Sequence, residues 1–159
     1  ASQNQYMSLW KFVIYRSVCK LILENENIPD EGKNYIRKVF PDSIEKRLNR
    51  AIPSWISRSF GVNILGYGAS FSTETKEISS ENWLEQLDIL EDLIERYCDN
   101  CKYFVMFDAL DDDYKMMMDK EQCDTYLSLI TGLFKAAKNV RDQFDKFGLN
   151  IFPVVFKNP

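Results

Sequence analysis

Histidine is absent from the 159 residues. Ser-His-Asp and Cys-His catalysis within this chain are thereby excluded, as is any zinc site built on imidazole. Cysteine is sparse: Cys19, Cys98, Cys101 and Cys123 are too few for a disulfide scaffold in a chain this long. Free thiols in a reducing cytoplasm are the expectation. Long apolar runs are also missing. The most apolar segment, Leu9 to Leu23, is interrupted by Lys11, Arg16 and Lys20, so no ~20-residue membrane span is expected. Ala1 to Gln5 are polar and uncharged and do not resemble the basic start of a signal peptide. An excess of positive charge is missing too: 20 Lys and Arg stand against 24 Asp and Glu, a net charge of −4. That balance argues against sequence-independent nucleic-acid binding.

What remains is a chain 45% hydrophobic and 14% aromatic, long enough to bury a core of its own. No internal repeat or low-complexity tract is visible. The expected fold class is α/β and helix-rich, with a helical part over 1–59, a glycine-rich hairpin or loop over 60–79, and an α-β-α-β unit over 80–159.

Tyr6 to Asn25 is expected to be a helix, with Leu9, Phe12, Val13, Val18, Ile22 and Leu23 spread over a face too wide for a surface helix. Ile28 to Ser59 divides at Pro29, Pro41 and Pro53 into short helical pieces, and Asp30 and Asp42 are placed to cap two of them. Phe60 to Ser72 carries Gly61, Gly66 and Gly68 among Val62, Ile64, Tyr67 and Phe71, the pattern of a short hairpin or loop. Ser80 to Tyr97 is a helix by the 3, 4, 3, 4 spacing of Trp83, Leu87, Leu90, Ile94 and Tyr97. Asp119 to Phe147 is the longest helix, on the stripe Tyr126, Leu129, Ile130, Leu133, Ala137, Val140, Phe144 and Phe147. Gly148 suits the left-handed position past its end. Trp10, Trp55 and Trp83 sit at apolar helical positions and are expected in the core.

Two parallel strands are expected near 102–108 and 150–156. Tyr103 to Phe107 is apolar without alternation, which predicts a strand covered on both faces. Ile151 to Phe156 is the second, with Pro153 arguing against a fully paired central position. A strand, the long helix and a second strand make a β-α-β unit.

Asp108, Asp111, Asp112 and Asp113 follow the first strand within six positions. Open α/β sheets bind ligands beyond the carboxyl ends of their strands. Crowded carboxylates repel one another, and Mg²⁺ relieves this with one or two carboxylates plus water and phosphate oxygens. Asp108 and Asp111 are the best-placed metal ligands. The same aspartates also fit a solvated turn and helix cap. An EF-hand is excluded: the sixth position from Asp108 is Asp113, not Gly, and the twelfth is Asp119, not Glu.

Phe107-Asp108-Ala109-Leu110-Asp111-Asp112 resembles the Walker B region of P-loop ATPases. It is similar to the D-x-L-D variant of STAND, KAP and origin-recognition-like ATPases, and most similar to a group of bacterial P-loop ATPases in which a long helix and a second apolar strand follow. The resemblance covers Tyr103 to Phe156 well and the first hundred residues weakly. It implies a partial P-loop NTPase-like sheet and Mg²⁺ with ATP as cofactors. It implies Asp108 as a water-mediated Mg²⁺ ligand, Asp111 and Asp112 as groups that coordinate it or orient water, and Asn158 as a polar group near the γ-phosphate. Three departures stand out. Ala109 occupies the place of the usual catalytic Glu. Lys157-Asn158-Pro159 stands where the family has Leu-Arg-Asp. No G-x-x-x-x-G-K-[ST] is present; Gly61 to Gly68 has two correctly spaced glycines, but Tyr67 and Gly68 replace the Lys and the hydroxyl. The resemblance therefore implies a fragment whose P-loop is encoded upstream of Ala1, with nucleotide reached through those residues.

Two other classes stay open: a Mg²⁺-dependent nuclease or phosphotransfer site of the Toprim sort on Asp111-Asp112-Asp113, and a non-catalytic interaction or regulatory module. Oligomerisation is left open. Cys98-Asp99-Asn100-Cys101 is expected to be two unlinked thiols at a helix–strand junction. Lys46, Arg47, Arg50 and Arg58 are expected on a solvated face, and Met116 to Met118 as core or loop filler.

Overall fold

The computed structural model describes residues 3–39, 80–107 and 120–155. Four helices and two strands lie there: α1 (Gln3–Glu24), α2 (Asp30–Val39), α3 (Ser80–Tyr97), β1 (Lys102–Phe107), α4 (Lys120–Lys146) and β2 (Asn150–Val155). The architecture is helix-rich mixed α/β with a two-stranded parallel sheet. None of the described helices is long and apolar enough to cross a membrane.

α1 is central among the described elements. Tyr6, Leu9, Trp10, Phe12, Ile14, Tyr15, Val18, Cys19 and Ile22 are all buried, so most of its circumference is out of water. A helix apolar nearly all round must be enclosed. α1 touches α2, α3, α4 and β1. The indole of Trp10 donates to the Leu129 carbonyl in α4 at 2.9 Å, and its ring meets Phe107 of β1 edge to face, with centroids 5.7 Å apart. Each large side chain so buried contributes about 1.5–3 kcal/mol.

Pro29 precedes α2, and its carbonyl accepts from Lys33 N–H, so Pro29 itself is the cap residue. Asp30 thus lies one position inside the helix. It shares the first turn with Glu31, where both favour the positive end of the helix dipole. α3 buries Leu87, Leu90, Leu93 and Ile94. Its Glu91 accepts from Tyr15 of α1 at 3.2 Å and from Gln143 of α4, tying three helices at one carboxylate.

α4 buries Leu129, Leu133, Ala136, Val140 and Phe144. Phe147, expected on that stripe, is exposed because the helix stops at Lys146 and the chain turns away there. Gly148 has φ +74°, Gly148 N–H bonds the Asp145 carbonyl, and Leu149 N–H bonds that of Phe144. This is a Schellman ending, with buried Leu149 and Phe144 as its apolar pair.

β1 and β2 pair in register from Lys102↔Asn150 to Phe107↔Val155. The expectation that β1 is covered on both faces is corrected. Tyr103, Val105 and Phe107 are buried, while Phe104 is 51% exposed and Met106 64% exposed. Helix α1 covers one face of the strand only, so an apolar run of five faces the core and water by turns. Pro153 lies opposite Val105; among the described residues β2 has β1 as its one neighbour, as the proline led one to expect.

The hairpin or loop of 60–79, the helical pieces beyond Val39, the Lys46/Arg47/Arg50/Arg58 group, Met116 to Met118, Trp55, and the side chains of Trp83 and Tyr126 lie outside the described residues.

Candidate functional site

Parallel pairing puts the carboxyl ends of both strands at one end of the sheet, with Phe107 opposite Val155. Phe107 is buried and held by the Trp10 ring. Asp108 is the next residue after β1. It lies outside the described residues, as do Asp111, Asp112 and Asp113, and Asn158 after β2. The geometry therefore covers the strand ends from which that acidic segment departs, and nothing of the segment itself.

The opposite end of the sheet carries a polar network that motif reading missed. Asn25, just past the end of α1, donates from Nδ2 to Asp99 Oδ2 at 2.9 Å and to Tyr103 Oη at 2.7 Å. Tyr103 Oη in turn donates to Asp99 Oδ1 at 2.6 Å, and Cys101 N–H donates to the same oxygen at 3.2 Å. Asn25 Oδ1 accepts from Asn27 N–H, and Asn150 Nδ2 donates to the Asn100 carbonyl at 2.9 Å. The exit of α1, the α3–β1 junction and the starts of both strands are joined there.

The electrostatics follow from that wiring. Burial and then the hydrogen bond to Asp99 raise the Tyr103 phenol above its usual range. Partial desolvation works to raise the Asp99 carboxyl, but hydrogen bonds from Tyr103, Cys101 and Asn25 outweigh it and bring it below the usual value. Burial, reinforced by Asp99, pushes the Cys98 thiol up to about 11. Burial and the nearby Cys98 push Cys19 up to about 12. The exposed Cys101 is also raised, by its hydrogen bond to Asp99. Each of these thiols is thereby less nucleophilic at neutral pH than an unperturbed cysteine. Cys19, Cys98 and Cys101 are free, and among the described residues no group of three or more Cys, Asp or Glu could hold a metal. The network is a structural lock, and the Cys98/Cys101 pair is two unlinked thiols, as expected.

A third feature lies along β1. A groove of about 440 Å³ is lined by Arg16, Ser17, Lys20, Leu21 and Glu24 of α1 and by Phe104, Val105 and Met106. Successive strand residues point to opposite faces, so a groove that reaches all three and no residue of β2 lies at the edge of β1 away from β2. On the exposed face, Phe104 and Phe152 stack with centroids 5.3 Å apart and planes 21° apart. The Arg141 guanidinium sits 4.2 Å over the Phe152 ring. The only sequence signal for this stack was the equal position of the two phenylalanines, each third in its strand.

Compared with protein-family models, with curated proteins and with solved structures, the chain has no match.

Proposed function

We propose that this chain is the Walker B half of a P-loop-type ATPase domain, resembling the bacterial P-loop ATPases. The observation that supports the reading is the parallel β1–α4–β2 unit with strand ends in register, from which Asp108 departs directly. In such sheets the carboxyl strand ends are where metal and phosphate chemistry is held. Asp108 would hold Mg²⁺ through water, and Asp111 and Asp112 would share the ion or orient the attacking water. Asn158 would lie near the γ-phosphate. With Ala109 in the usual place of the catalytic Glu, water positioning falls to the later aspartates. The backbone cradle and Lys of the P-loop would come from residues upstream of Ala1.

The test is calorimetric titration with Mg-ATP of this chain and of a version extended through the upstream reading frame. The chain alone is expected to bind Mg-ATP weakly or not at all and to hydrolyse none. The extended version is expected to hydrolyse ATP and to lose that activity in Asp108→Asn. An upstream frame with no G-x-x-x-x-G-K-[ST], or hydrolysis indifferent to Asp108, overturns the reading.

One observation favours a second reading, a non-catalytic interaction module. Parallel sheets of nucleotide-binding domains are normally covered on both faces, whereas Phe104 and Met106 meet water. Under this reading Mg²⁺ leaves thermal stability unchanged, and so does Asp108→Ala with or without the ion.

A further inference from the structure

We draw no further inference here: the strongest candidate, the groove between α1 and the outer edge of β1 beside the wetted Phe104 and Met106, carries nothing because nothing among the described residues shows what covers it.

Discussion

The Tyr103 hydroxyl donates to the Asp99 carboxylate at 2.6 Å, although Tyr103 belongs to a strand and Asp99 to the turn before it. Asn25 bonds both groups from the end of α1. Tyr103→Phe removes a donor to a partly exposed carboxylate and an acceptor for Asn25. A loss of about 1–2 kcal/mol is expected, read as a lower urea midpoint with unchanged slope.

The same pair sets a pH dependence. The folded-state pKa of Asp99 lies below its unfolded value, so the carboxylate contributes stability that is fully present above the ordinary aspartate pKa of about 3.9. That contribution is lost as the pH falls through the folded pKa. Asp99→Asn is expected to be less stable than the parent at pH 7, with the gap closing below about pH 4. A gap that stays constant on acidification counts against the carboxylate being the cause.

Gly132 lies where α4 crosses α1. A Cβ added there meets Tyr6 Cβ at 2.6 Å, the Tyr6 carbonyl carbon at 3.1 Å and Met7 N at 3.3 Å. Helix propensity alone favours Ala over Gly by about 1 kcal/mol. The backbone of α1 cannot yield like the tip of a side chain, so the clash outweighs that gain. Gly132→Ala is expected to lower stability by about 1–3 kcal/mol and to reduce the melting temperature.

Gly148 is the reverse case, with open space but a constrained backbone. Nothing lies within 4 Å of an added Cβ, yet φ is +74°. Gly148→Ala is expected to cost about 1 kcal/mol and Gly148→Asn less, because Asn tolerates the left-handed region. Thermal denaturation of the two variants side by side checks the order.

Thiol accessibility gives a fifth check, made in a Cys123→Ser background. Cys101 is exposed, Cys98 half-buried and Cys19 buried, with thiols of the last two at about 11 and about 12. A disulfide reagent at neutral pH is expected to label Cys101 first, Cys98 slowly, and Cys19 only at the rate of unfolding. Rapid labelling of Cys19 contradicts its placement in the core.

Much of the fold was legible because its elements are long and strongly periodic. The 3.6-residue spacing of Leu87, Leu90 and Ile94, and of Leu129, Leu133, Val140 and Phe144, marks faces that are indeed buried. Gly148 announced the end of α4 by its chemistry. The wetted face of β1 was not legible, since an apolar run does not say which of its residues a helix will cover. Phe104 and Val105 look alike in sequence and differ in exposure. The Asn25–Asp99–Tyr103 network was hidden for another reason: its members come from three separate places in the chain, and no local spacing links them. The aspartates from Asp108 to Asp113 carry the functional reading on sequence grounds alone, since they lie outside the described residues.

The contact between Trp10 and the Leu129 carbonyl spans 119 positions of sequence. At a synthesis rate of about 5–20 residues per second, the ribosome makes α1 roughly 6–24 s before its principal partner. Throughout that interval a helix that is greasy on nearly every side has only α2, α3 and β1 to rest on, and its largest interface is still missing. Nascent chains of this protein are thus a natural client for chaperones that shield apolar helices, and the final docking of α1 waits until α4 has been made.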